Sequence, residues 1–248
     1  MKSAKGWSKM KTYEQQVQEQ LFQWGKKVMQ KSSLLNRLSK RAQTKVNELI
    51  PDKVHEVITE SIKKMTQAAL FGSDFLTPGK DVSLLSLEKR EKLVLEKIKM
   101  YKRMAAIEGA GTGAGGIFLG LADFPLLLSI KMKFLFEVAV LYGFDTKKYE
   151  ERLFILHVFQ LAFSSDEHRR YIYRIIQQWE KEKERLMDVD WRVFQQEYRD
   201  YIDFVKMLQL VPGIGAVVGA VANYNLLDHL GETAMNCYRF RLLTKRGD

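Results

Sequence analysis

The sequence reads as an all-α protein, a bundle of about eight helices, and three observations predict this. Apolar residues recur at steps of three and four along most of the 248 residues, the period of a helix with one buried face. No stretch alternates polar and apolar at the period of two that a half-buried strand requires. Four prolines interrupt the chain, too few for a loop-rich β sandwich. A hydrophobic fraction of 46% with 11% aromatic residues is enough for a core and excludes a disordered chain. Cys237 is the single cysteine, so there is no intrachain disulfide and no cysteine-cluster zinc site, which fits a reducing compartment.

The first amphipathic helix carries Tyr13, Val17, Leu21, Trp24 and Val28 on one face, and Leu34, Leu35, Leu38, Val46 and Leu49 extend the stripe to Ile50-Pro51. Pro51 is a good first-turn residue for a second helix that turns Val54, Val57, Ile58, Ile62 and Met65 inward and ends near Gly72. Phe71 to Asp81 reads as a loop turning at Pro78-Gly79. A charged helix follows from about Ser83 to Ile107, with Leu84, Leu87, Val94, Ile98 and Tyr101 expected to face in.

Asp123-Phe124-Pro125 predicts a helix start, the aspartate as cap and the proline in the first turn. That helix runs through Leu126, Ile130, Phe134 and Val138 to Tyr142, with Gly143 as its stop. Asp145 is expected to cap the next, which carries Leu153, Leu156 and Phe159. Ser164 and Glu167 have capping-box spacing before a helix to about Met187. Another runs from Asp190 through Val205, and a last one carries Leu230, Ala234, Tyr238 and Leu242.

Charge is concentrated at one end of the chain. Of the formal net charge of +10, residues 1–45 hold +9, from Lys2, Lys5, Lys9, Lys11, Lys26, Lys27, Lys31, Arg37, Lys40, Arg41 and Lys45 against Glu14 and Glu19. Residues 1–50 therefore read as a basic amphipathic arm, and 51–248 as one nearly neutral helical domain. Such an arm is complementary to polyanions, an anionic membrane surface above all, where each cation contributes about 1 kcal/mol. No apolar core follows the first lysines, so they do not read as a signal peptide.

Two windows break the pattern. In residues 109–130 the sole charge is Asp123, and residues 207–227 hold none. Gly109/Gly113, Gly116/Gly120 and Gly215/Gly219 are each four apart, a small-residue spacing that lets helix backbones approach closely. Glycine inside a helix costs about 0.5–1 kcal/mol against alanine, so its repetition needs a packing reason. The windows are expected to pack as a pair, with Asp123, Pro125, Gly143, Pro212 and Asn223 shaping their ends. Asp123 with Pro125 splits the first window, and Pro212 shortens the second. A re-entrant hairpin or interfacial wedge suits these breaks better than a clean crossing of about 20 apolar residues. The competing reading is a pair buried wholly within a soluble bundle.

Signals for chemistry are scarce. His55, His157, His168 and His229 have no metal-ligand spacing, and His157 lies in an apolar run, as a core histidine does. Gly111 to Gly116 holds part of a dinucleotide fingerprint but lacks the preceding strand. No Gly-x-Ser-x-Gly elbow occurs, Cys237 reads as a buried thiol, and the alternating charges of residues 180–185 read as a solvated helix face. A non-enzymatic protein without metal or cofactor is the expectation. Nucleic acid is not an expected partner, because neither a helix-turn-helix nor a zinc finger is present.

The ordered motifs Gly120-Leu121-Ala122-Asp123-Phe124-Pro125, Ala139-Val140-Leu141-Tyr142-Gly143-Phe144-Asp145, Val211-Pro212-Gly213-Ile214-Gly215-Ala216 with Gly219 and Asn223, and finally Tyr238-Arg239 resemble the EcsC family of bacterial proteins over nearly the whole chain. The resemblance implies an accessory role on the cytoplasmic face of the cell membrane, beside an ABC exporter and in protein secretion. The family's founding member is encoded next to such an exporter. It carries over no catalytic residue. The reading is therefore a peripheral or monotopic membrane protein, with Trp24 and the basic arm at the lipid interface and an exporter subunit as a partner. The alternative is a soluble, cytoplasmic scaffold for a protein partner.

Overall fold

The computed structural model describes residues 12–30, 52–79, 81–112, 123–164, 166–188 and 216–244. Among them are eight helices and no β-strand: α1 (Tyr13–Met29), α2 (Asp52–Phe71), α3 (Leu87–Thr112), α4 (Phe124–Tyr142), α5 (Tyr149–Phe163), α6 (Asp166–Gln177), α7 (Trp179–Met187) and α8 (Ala216–Thr244). The stripe Leu34–Leu49 and the helix expected over Asp190–Val205 lie outside the described residues.

Local chemistry sets the helix ends, and in several places it differs from expectation. A capping box starts α1: Gln15 N–H donates to Thr12 Oγ1 and Thr12 N–H to Gln15 Oε1. The Ser164 hydroxyl donates back to Gln160 O at 2.6 Å at the end of α5, and the side chain of Glu167, its partner in the expected capping box, lies outside the described residues. Asp145 accepts from Lys147 N–H within a turn, and the residue preceding α5 is Lys148. Asp123 does precede α4, but its backbone is already helical and its carboxylate makes no capping bond. Leu84 lies before α3 and is exposed rather than inward-facing.

The helix expected through to Met187 breaks at Gln178, and Trp179 starts α7 against Phe154 and His157 of α5. Burying that indole is the packing demand that the break serves. Gly143 stops α4 in the left-handed conformation at φ 91°.

Three arginines finish helices that end without a basic residue of their own, or need more than one. Arg169 donates to Val28 O and Gln30 O at the end of α1, Arg152 to Leu70 O and Gly72 O at the end of α2, and Arg90 to Tyr142 O at the end of α4. Each places a cation where carbonyls lack partners and the helix dipole is negative.

α5 is apolar nearly all round and is buried from Glu151 to Phe163, as befits a helix enclosed by others. α3 lies between α4 and α8, antiparallel to both. Tyr101 meets Glu137 and Glu91 meets Tyr142, while Glu91, Ile98 and Lys102 meet Arg239, Gly231 and Asp228 in turn. At Gly231 a Cβ would stand 2.8 Å from Ile98 Cδ1, so the missing side chain permits the close α3/α8 approach. The antiparallel register brings the last turns of α3 and the first turns of α4 and α8 to one end of the bundle. Their other ends gather at the opposite pole.

Candidate functional site

The pole where α3 begins and α4 and α8 end is held by buried charge. Glu91, fully buried on α3, takes a bidentate pair from Arg239 at 2.7 and 2.5 Å, and accepts Tyr13 Oη at 2.5 Å and Tyr142 Oη at 3.2 Å. Arg239 also donates to Gln20 and Asn236. A second pair is set by Arg241, two residues further along α8. Arg241 meets Glu151 at 2.6 Å, Tyr238 donates to the other Glu151 oxygen at 2.7 Å, and the guanidinium lies over the Phe144 and Phe154 rings.

Buried pairs of this kind stand only when hydrogen bonds satisfy the remaining atoms. Burial and the adjacent carboxylate push the Tyr13 phenol up to about 12, and burial likewise raises Tyr142 and Tyr238 well above the ordinary value. These tyrosines are donors locked to carboxylates, so the arrangement joins α1, α3, α4, α5 and α8.

The remaining titratable groups in the core are similarly quiet. His157 Nδ1 donates to Leu153 O at 2.8 Å, and burial holds the ring neutral with its pKa lowered to about 4. Cys237 is buried, and burial drives its thiol far up, so it is a poor nucleophile. Among the described residues no cluster of three or more His, Cys, Asp or Glu could hold a metal ion. Lys131 on α4 stands apart. It is fully buried, its ammonium has no hydrogen-bond partner among the described residues, and burial pushes it down to about 7.

The other pole has the opposite character. Met100, Met104 and Ile107 form an exposed stripe on α3, at the i, i+4, i+7 spacing, with Leu126 exposed on the first turn of α4 and Tyr224 on α8. Ile107 is 71% exposed. Lys99 and Arg103 flank the stripe in water, and Lys102 reaches over the Tyr224 ring to Asp228.

From this pole a groove of about 880 Å³ runs between α2, α3 and α4. Its walls are mainly apolar, with Val57, Met65, Phe75, Tyr101, Met104 and Ile130 among them. Lys133 enters from α4 and donates to Leu76 O at 2.8 Å and Phe75 O at 3.4 Å.

The residues singled out from sequence divide accordingly. Lys2, Lys5, Lys9, Lys11, Lys31, Arg37, Lys40 and Arg41 lie outside the described residues, as do Gly113, Gly116, Gly120, Pro212 and Gly215. Gly109 is in the last turn of α3, and Gly219 and Asn223 are in the first turns of α8, so the described parts of the two windows lie on neighbouring helices. Pro125 lines the groove. Lys26 and Lys27 are exposed on α1, Lys26 over the Phe22 ring and Lys27 near Glu232.

Trp24 corrects an expectation: it is buried edge-on to Tyr173 of α6 and does not face an interface. The stripe of α1 is spent on the protein's own core, and Gly25, whose Cβ would collide with the Tyr173 hydroxyl, makes the contact close.

Sequence reading passed over Glu91, Glu151, Lys131 and Lys133. Glu91 had a visible signal, because it continues the spacing Leu87, Glu91, Val94, Ile98, Tyr101 and therefore occupies a core position. By contrast the motif residues Tyr142, Gly143, Phe144, Tyr238 and Arg239 converge in space: Tyr142 and Phe144 pack on Tyr238 at 5.3 and 5.1 Å.

No helix among the described residues is long and apolar enough to cross a membrane. No solved structure matches the chain. The chain is 54% identical over 232 residues to Protein EcsC of Bacillus subtilis (strain 168), covering 94% of this chain and 97% of that protein. It is 29% identical to Uncharacterized protein YdbA of the same organism, covering 94% of this chain and 93% of that protein. The model of the EcsC protein family matches residues 15–243, and the chain belongs to that family.

Proposed function

We propose that this EcsC-family protein is a non-enzymatic accessory factor seated peripherally on the cytoplasmic face of the cell membrane, where an ABC exporter subunit is its protein partner. The observation that carries the reading is the exposed apolar stripe Met100, Met104, Ile107 and Leu126 at the pole into which both charge-poor windows lead. Contiguous exposed apolar surface is a mark of contact sites, and cations beside it add attraction to anionic headgroups. Lys99 and Arg103 supply that charge next to the stripe, and the N-terminal lysines supply more. The exporter as partner rests on the family resemblance.

The test is flotation of the full-length protein with vesicles, phosphatidylcholine alone against phosphatidylcholine with phosphatidylglycerol, at low and high salt. The expected result is flotation with the anionic vesicles that weakens but persists at high salt, because the apolar contact is not screened. Protein that stays at the bottom of every gradient overturns the membrane reading and leaves the scaffold one.

A further inference from the structure

Resting on that membrane reading, we infer that the groove between α2, α3 and α4 binds a long-chain carboxylate, a fatty acid, with its head at Lys133 and its tail directed toward the apolar pole. The groove has the volume and mainly apolar surface of a small-molecule site, and its charged side chains other than Lys133 stand at the rim. It is also long. Its α2 wall extends from Lys53 to Ala68, roughly 22 Å of helix.

Its charged lining is uneven. Lys53, Glu56, Glu60, Lys64 and Asp74 are exposed on the rim, whereas Lys133 is half-buried. Lys133 is held by two backbone carbonyls, and among the described residues no carboxylate lies within ion-pair distance of it. An ammonium so placed is complementary to one anionic head, and the carbonyls fix its position without neutralising it.

Polarity decides the direction. Lys133 lies two turns along α4 from Pro125, about 12 Å. Met104 belongs both to the groove wall and to the exposed stripe, so the mouth opens on the surface proposed to meet lipid. A fatty acid bound head-in would lie with the same sense as a lipid of the leaflet beneath, its tail toward the hydrocarbon.

The experiment uses full-length protein, displacement of a fluorescent fatty-acid analogue, and two competitors of equal chain length, palmitate and hexadecanol. Palmitate is expected to compete saturably. Lys133→Gln should weaken palmitate about tenfold and leave hexadecanol unchanged, the signature of a lost charge contact rather than a reshaped groove. Ser129→Trp, which adds bulk from the solvent side of the groove, should weaken both. Both variants should float with anionic vesicles like the parent, so loss of binding without loss of flotation separates the two proposals. Absence of saturable competition, or equal weakening of acid and alcohol by Lys133→Gln, overturns the assignment.

Discussion

The two poles of the α3, α4 and α8 unit use the same helices for opposite ends. At one, Glu91 and Glu151 are sunk among arginines and tyrosines that satisfy them, and the family motif residues Tyr142, Tyr238 and Arg239 build the lock. At the other, large apolar side chains stand in water beside windows nearly without charge. The contrast teaches where stability and contact reside. Buried ion pairs tolerate no loss of a partner, so the polar pole depends on every member of its lock, while the exposed stripe of the apolar pole is under no such constraint.

The contrast breaks most visibly at Glu91. Glu91→Ala leaves Arg239 buried without a carboxylate and should cost about 3–5 kcal/mol in urea unfolding. The double variant Glu91→Leu with Arg239→Met should recover much of that loss. A single variant as stable as the parent would show that the pair does not hold this pole.

Lys131→Met should act in the opposite sense and stabilise by a few kcal/mol at neutral pH. It removes an unpartnered buried ammonium, and each pKa unit corresponds to about 1.4 kcal/mol. Its folded pKa is depressed from 10.5 to about 7, so between those values the unfolded chain holds the extra proton. Parent stability should therefore rise with pH from about 7 to about 10.5, with the penalty fully present below 7. Denaturation midpoints across that range should lose this slope in the variant.

A smaller effect is expected at the stop of α4. Gly143→Ala forces a side chain into φ 91° with Arg90 Nη1 only 3.0 Å from the new Cβ. The cost should be about 1–2 kcal/mol by chemical denaturation. The smallest change in stability belongs to the apolar pole. Ile107→Asp, at an exposed site, should stay within about 0.5 kcal/mol of the parent yet reduce flotation with anionic vesicles severely. A destabilisation as large as that of Glu91→Ala would mean that the stripe is structural.

Much of this architecture was readable before any coordinates. The helical period places Val54, Ile58, Ile62 and Met65 inward on α2, and they are buried. Gly143 ends α4 because only glycine enters the left-handed region cheaply. The errors share one cause. Asp145 and Asp123 each have the chemistry of a cap, but a short polar side chain beside a helix end has several backbone partners within reach. Asp145 accepts from Lys147 N–H in its own turn, and Asp123, already helical in backbone, makes no capping bond. Trp24 was misplaced for a related reason: an amphipathic stripe states that one face is buried and does not state whether by lipid or by protein.

The sequence by itself determined that the chain is helical, which residues face a core, where its charge is absent and to which family it belongs, because period, composition and motif order are local properties of the chain. Only the tertiary structure decided that Glu91 finds Arg239, that Arg90, Arg152 and Arg169 finish helices remote in sequence, and that Lys133 stands in an apolar groove. Those pairings depend on which helices become neighbours. That is set by the summed fit of many weak contacts, to which no single stretch of sequence holds the key.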